Sequence, residues 1–155
     1  MKPLILILTT FILLISCSDE NNSQNTNIEF TKIAEGFLGG QGSEGIPKQN
    51  IIIDNETDWN NLKSKMNTNV NTTESFSETE IDFSKFNIIA IFEEVKNSGE
   101  FHLSIDEIIK NPYNVFVRIK LESPSGPNVI QIITQPYYIA KIPKNDLPML
   151  FEFIN

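Results

Sequence analysis

The sequence has very few of the residues on which metal and thiol chemistry depends. Its 155 residues include one cysteine, Cys17, and one histidine, His102. A lone cysteine cannot form an internal disulfide, and zinc sites use several cysteine or histidine ligands. These shortages exclude most metal centres built from such residues, and we expect the chain to hold no cofactor.

Basic residues are scarce as well. Lysine and arginine number 12 against 20 aspartate and glutamate residues, which gives a formal net charge of -8. Proteins bind nucleic acid mainly through lysine and arginine contacts to phosphates. An acidic chain without a basic run is a poor candidate for that role, so we expect no nucleic-acid partner.

The motifs of several enzyme classes are absent or misplaced. No G-x-S-x-G segment accompanies His102. Residues 40–45 match G-x-G-x-x-G, but Ile46-Pro47-Lys48 and an apolar run follow them instead of the helix that a dinucleotide site requires. Neighbouring carboxylates such as Glu93-Glu94 and Asp106-Glu107 point to opposite faces of a strand, unlike a glycosidase pair. We predict that the domain is not an enzyme and that these carboxylates are solvated. The competing hypothesis is a hydrolase with scattered carboxylates.

The N-terminal segment predicts export. Lys2 precedes a short apolar run, Leu4–Ile15, which is too short to span a bilayer comfortably. The run ends in Leu14-Ile15-Ser16-Cys17, which resembles the lipobox of bacterial lipoproteins. The resemblance implies cleavage before Cys17 and acylation of that residue. We therefore expect residues 1–16 to be a lipoprotein signal peptide; the alternative is a plain signal peptide or signal anchor.

The lipidated Cys17 and a disordered tether are predicted over residues 17–27. Ser18–Asn27 contains no apolar residue, and such a segment cannot contribute to a core. Ser18-Asp19-Glu20 resembles the acidic signal that exports lipoproteins to the cell surface in some Gram-negative lineages; the alternative is a polar linker. We expect an outer-membrane lipoprotein, either facing the periplasm or exposed at the surface.

A single domain rich in β-structure is predicted over residues 28–155. One helix is indicated by Trp59, Leu62 and Met66, which share a helical face, with Asn55 or Thr57 as its N-cap. Loops are predicted over Gly36–Gly45 and Asn67–Thr79. Pro136 is predicted to end the strand that precedes it. The predicted strands and apolar segments are Ile28–Ile33, Asn50–Asp54, Asn87–Phe92, Phe101–Ile105, Val115–Leu121, Val129–Thr134, Tyr138–Ile142 and Leu150–Ile154.

These segments are mostly neighbours in sequence, which favours antiparallel pairing. The predicted fold class is α+β, mostly antiparallel β, as a β-sandwich-like sheet with one packed helix. Trp59 is expected to seal the helix against the sheet, and Asp82 to accept backbone N–H bonds in a turn. Tyr137 and Tyr138 are candidate interface residues, since exposed tyrosines make good protein contacts; the alternative is core or edge packing.

Four segments resemble, in order, the C-terminal domain of the protease complex subunit PrcB family. Gly99-Glu100 departs from the paired glycines that the family tends to have at this turn. The segments are Gly45-Ile46 with Ile51–Asp54 and Asp58-Trp59; Ile81–Ser84 with Ile88–Phe92; Asn97-Ser98-Gly99 with Phe101–Ile105; and Thr134–Tyr138 with Ile142–Lys144 and Phe151.

The resemblance covers about Gly36 to Phe153 and implies a non-catalytic, mostly β domain on a lipoprotein. We therefore expect a binding or assembly module, anchored in outer-membrane lipid through Cys17, that supports an envelope protein partner such as a surface protease complex. The alternatives are an envelope protease inhibitor, with Gly36–Gly45 or Asn67–Thr79 as the inserting loop, and a small-ligand-binding lipoprotein.

Overall fold

The computed structural model describes residues 25–39, 41–124 and 131–154. These ranges contain eight strands, one α-helix and a short 3-10 helix over Thr72–Ser75. The α-helix is α1 (Glu56–Met66), and the strands are β1 (Thr26–Asn27), β2 (Thr31–Leu38), β3 (Gln49–Ile53), β4 (Phe86–Phe92), β5 (His102–Lys110), β6 (Val115–Glu122), β7 (Gln135–Pro143) and β8 (Met149–Ile154).

The strands form two four-stranded sheets. The central sheet has the order β2-β7-β4-β3, and the outer sheet has the order β1-β5-β6-β8. One face of the central sheet packs on α1, and its other face packs on the outer sheet. The molecule is therefore a β-sandwich with one helix on its central sheet, which confirms the predicted fold class.

Strand β4 shows why the central sheet needs cover on both faces. Ile88, Ala90 and Phe92 enter the core beneath α1, whereas Ile89 and Ile91 enter the core between the sheets. All five side chains are at most 1% exposed. A continuous apolar run is typical of such a strand, because successive side chains point to opposite faces.

Helix α1 packs as predicted and begins at the first of the two predicted N-caps. Asn55 is the N-cap, with extended backbone and a side chain that accepts a hydrogen bond from the Asp58 N–H. Trp59 is 1% exposed, stacks on Phe76 at 5.9 Å between ring centroids, and donates its indole N–H to the Thr79 carbonyl. The predicted loop that contains Phe76 thus contributes a side chain to the core.

Asp82 organises the turn that leads into β4, as predicted. Its carboxylate accepts the Ser84 N–H at 3.1 Å and lies 2.7 Å from the Lys85 ammonium. The hydrogen bond from Lys85, followed by that from Ser84, lowers the pKa of Asp82 to about 2.

Two boundaries near the start of the domain differ from the prediction. Thr26–Asn27, placed in the tether, pairs with Ile109 and Lys110 of β5. The second strand runs over Thr31–Leu38 instead of ending at Ile33, so Gly36 lies within a strand. A polar strand at a sheet edge is stabilised by backbone hydrogen bonds, which leave no apolar signal in the sequence.

Residues 28–30 connect β1 of the outer sheet to β2 of the central sheet. The side chains of Ile28 and Phe30 in this segment are partly buried.

The segment around Pro136 also corrects the prediction. Residues 131–133 are not a strand, and Thr134 forms only an isolated bridge with Lys96; residues 125–130 lie outside the described ranges. Pro136 does not break a strand but belongs to β7. It lies next to the first residue of β7, where a missing N–H is tolerated, and its carbonyl accepts the Glu93 N–H.

The last strand is the exception to antiparallel pairing. Strand β8 follows β7 of the central sheet but pairs with β6 of the outer sheet, and the two strands run parallel.

The described residues include no helix with the length and apolar character that a membrane span requires. The predicted signal peptide and Cys17 lie outside these residues.

We predict that Trp59→Ala lowers the free energy of unfolding by about 3–5 kcal/mol, because it removes a buried ring that packs against Phe76. Urea denaturation monitored by circular dichroism measures the change. Asn60→Ala is the control, since Asn60 is an exposed neighbour on the same helix. A loss below about 1 kcal/mol for Trp59→Ala would contradict the packing described.

Candidate functional site: the loop end of the sandwich

Three loops meet at one end of the central sheet. Cross-strand pairs Leu38 with Gln135 and Gln49 with Phe92 show that β2 and β4 end where β3 and β7 begin. We call this region the loop end and define it as residues 41–45, 93–101 and 131–134.

A buried carboxylate lies directly beneath these loops. Glu93 is 1% exposed, and its Oε1 accepts hydrogen bonds from Lys48 Nζ at 2.6 Å and from the Glu94 N–H at 2.9 Å. Lys96 Nζ lies 3.7 Å from the same oxygen. The expectation that this acidic doublet is solvated is therefore wrong for Glu93. Two lysines offset the cost of burying its charge.

Gln135 ties the main chain at Glu93 to the main chain at Ile46. The side chain is 1% exposed, and its amide donates to the carbonyls of Ile46 at 2.8 Å and Glu93 at 2.9 Å. Nearby, Thr134 donates its hydroxyl to the Ser98 carbonyl at 3.1 Å. Buried polar groups joined in this way fix the loop backbones in one arrangement.

The fixed loops hold apolar side chains in solvent. Val95 is 39% exposed, Ile132 53% and Ile133 39%. The glycine loop packs closely on Val95, since a Cβ on Gly42 would lie 3.1 Å from its Cγ2, and Gly42 has a positive φ of 89°. Exposed apolar side chains on an organised surface are typical of a protein contact site.

One loop residue adopts a backbone conformation that favours glycine. Glu100 has a φ of 67°, in the left-handed region, at the turn where the resemblance implies a second glycine. Glu100 therefore adopts the backbone conformation that a glycine at this position would adopt without strain. The substitution relative to the family pattern leaves the turn conformation unchanged.

The chain enters the domain at the opposite end of the sandwich. Thr26 pairs with Lys110, the last residue of β5, whereas the loop end precedes His102, the first residue of β5. A strand of that length spans about 30 Å. The first described residues of the chain and the loop end therefore lie at opposite ends of the outer sheet.

The two candidate interface tyrosines are not at the surface. Tyr137 is 3% exposed in the core beneath α1, and Tyr138 is 5% exposed in the core between the sheets. Of the two interpretations of this pair, core packing is confirmed and an exposed interface is excluded, because β7 is an interior strand whose two faces are both covered. Burial raises the pKa of Tyr137, partly offset by a hydrogen bond with Ser75; burial and the Glu35 carboxylate raise the pKa of Tyr138.

The remaining candidate residues are not brought together into a site. His102 is exposed at the start of β5. The carboxylates of Asp106 and Glu107 form two separate ion pairs. Asp106 pairs with Lys120, and Glu107 pairs with Arg118. Among the described residues, no group of three or more His, Cys, Asp or Glu side chains is placed to hold a metal ion.

Sequence reasoning missed Glu93 and Gln135 as a pair. A signal was present for Glu93, which follows directly on the apolar run Asn87–Phe92 and therefore stands at the end of a buried strand. Gln135 lies in the segment Thr134–Tyr138 that carries the family resemblance, but its partners are distant in sequence and only the sheet pairing brings them near.

The described residues thus define a helix-covered β-sandwich with an organised loop surface. Residues 88–143, which run from the third residue of β4 to the end of β7, match the family described as PrcB C-terminal. The match confirms the predicted resemblance over a narrower span, since the segments around Asp58-Trp59 and Ile81–Ser84 precede it. It includes Glu93 and Gln135. The comparisons with curated proteins and with solved structures gave no match.

We predict that Gln135→Leu lowers the free energy of unfolding by about 2 kcal/mol, because two buried carbonyls lose their donor. Thermal and urea unfolding measure the loss. The matched control is Gln131→Leu at an exposed position in the same chain, which we expect to be neutral. Equal effects of the two substitutions would show that Gln135 does not tie the loops.

Proposed function

We propose that this chain is a lipid-anchored envelope protein whose domain is a non-catalytic binding and assembly module that supports a surface protease complex. The match to the PrcB C-terminal family supports the link to a protease complex. The resemblance of Leu14–Cys17 to a lipobox supports the anchor.

The observation that carries the proposal is the organisation of the loop end. Its apolar side chains Val95, Ile132 and Ile133 stand in solvent, with the charged Glu94 and Glu100 exposed on the same loops. An apolar centre with a polar rim is the usual anatomy of a protein interface. The buried cluster of Glu93 and Gln135 holds this surface in shape before a partner arrives, which lowers the entropic cost of binding.

The position of the loop end fits an anchored protein. The chain joins the domain at β1, at the far end of β5 from the loops. A flexible tether of eight or so residues between Cys17 and the domain would span about 14–17 Å, enough to hold the domain close to a lipid surface.

We expect Ile132→Asp with Val95→Asp to reduce the amount of co-purified protease at least tenfold, because the two carboxylates would have to be buried at the contact. The measurement is a pull-down from detergent-solubilised membranes with the full chain tagged at its C-terminus. Tyr113→Asp is the control, since Tyr113 is 76% exposed at the opposite end of β5. Absence of a protease, or equal loss in both variants, would overturn the proposal. Measuring the protease activity of the captured complex then distinguishes a supporting role of this chain from an inhibitory one.

We expect Cys17→Ala to move the protein from the membrane fraction to the soluble fraction, because acyl chains on Cys17 would be its membrane attachment. Fractionation with immunodetection measures the distribution. Ser18→Ala is the neighbouring control and should stay with the membrane. Unchanged partitioning of Cys17→Ala would contradict the lipid anchor while leaving the binding role open to its own test.

A further inference from the structure

Strand β3 is an edge strand without the usual protection. It pairs with β4 on one side only, and its sequence Gln-Asn-Ile-Ile-Ile contains no charge and no proline. By alternation, about half of its backbone N–H and C=O groups point away from β4. Edges of this kind recruit another strand unless they are blocked.

Of the other sheet edges in the described part of the chain, those at β1 and β2 are protected, whereas the six-residue β8 carries only one charged side chain. Strand β2 has an irregular register at Lys32/Ala34, and Ser77 hydrogen-bonds to its Ile33 carbonyl. Strand β1 has two residues, and β8 carries Glu152, which lies 3.8 Å from Arg118. Short length, bulges and charges are established ways to prevent strand addition.

An open groove lies between β3 and α1. Its volume is about 360 Å³, and its lining includes the apolar side chains of Ile51, Ile53 and Leu62. On the other face of the strand, Ile52 is 40% exposed. Both faces of the β3 edge therefore present apolar surface beside unpaired backbone.

The charges of the groove are arranged for a two-fold symmetric contact. Asp58 and Lys65 both line it, one in the first turn of α1 and one in the last, about 10 Å apart along the helix. The Lys65 ammonium has no ion pair within the described ranges. A two-fold axis reverses the helix direction in the second copy, so an axis level with the middle of α1 would bring Asp58 of each copy opposite Lys65 of the other.

We propose that a second copy of this chain binds here, through antiparallel pairing of β3 with its symmetry mate around Ile51. The two central sheets then form one continuous eight-stranded sheet, and the two α1 helices lie side by side and antiparallel. The contact pairs the free backbone groups of β3, buries Ile52 and forms two Asp58–Lys65 ion pairs between copies.

This arrangement is compatible with attachment of both copies to one bilayer. A two-fold axis normal to the central sheet keeps the two outer sheets on the same side of the dimer. The N-terminal segments both leave from β1 of an outer sheet, at the sandwich edge away from β3, because β5 lies against β2 and β7. The loop ends lie at opposite ends of the dimer and stay free, so the dimer does not depend on the proposed partner binding.

Charge exchange at the interface tests the proposal. The full chain is purified in detergent, and sedimentation velocity over a concentration series gives the dimer dissociation constant. We expect Asp58→Lys and Lys65→Asp each to weaken dimerisation about tenfold. Each substitution places two like charges opposite one another at both symmetry-related ion pairs. The double variant with both substitutions should regain affinity to within about threefold of the unmodified chain, since the opposite charges face each other again.

Two further variants separate the interface from stability. Glu56→Lys is the control on the same helix turn, outside the groove lining, and should leave the dimer unchanged. Ile52→Lys should abolish the dimer while retaining the circular dichroism spectrum, because Ile52 is partly exposed and lysine blocks an edge. A chain that is monomeric at high micromolar concentration, or a double variant no better than the single ones, would overturn the proposal, whatever the outcome of the protease pull-down.

Discussion

The pairing of β4 with β7 in the interior of the central sheet is the constraint on which the rest of the structure depends. Both strands bury side chains on both faces, and their register places Ile89 opposite Ala140 and Ile91 opposite Tyr138. Two apolar faces cannot be left in water, since each buried side chain contributes about 1.5–3 kcal/mol. One face therefore requires α1 and the other requires the outer sheet.

The ends of these buried strands explain the character of the loop end. Glu93 follows β4 directly and Gln135 begins β7, so both are drawn inside with the strands. Burial of a charge and an amide is stable only with hydrogen bonds. Lys48 donates to the Glu93 carboxylate, and the carbonyls of Ile46 and Glu93 accept from the Gln135 amide. The same bonds that compensate this burial fix the loops, and they leave apolar side chains displayed on a rigid surface.

Local rules worked where one segment decides its own conformation. The apolar run of β4, the alternation of β6 and the Asn55 cap of α1 were readable because periodicity and capping are short-range effects. The prediction that Pro136 breaks a strand was wrong, because a strand tolerates proline near its first residue when the sheet pairing does not need its N–H. Tyr137 and Tyr138 were open to two interpretations, and the cover on both faces of β7 decided for burial.

By itself, the sequence determined the class of domain and the single helix, because these rest on composition, periodicity and capping. The family resemblance, predicted over about Gly36 to Phe153, is confirmed over residues 88–143. Only the tertiary structure decided which strands share a sheet, that β8 runs parallel to β6, that Glu93 meets Gln135, and that β3 has a free edge. The physical reason is that each of these depends on contacts between segments far apart in the chain, for which no local pattern encodes the partner.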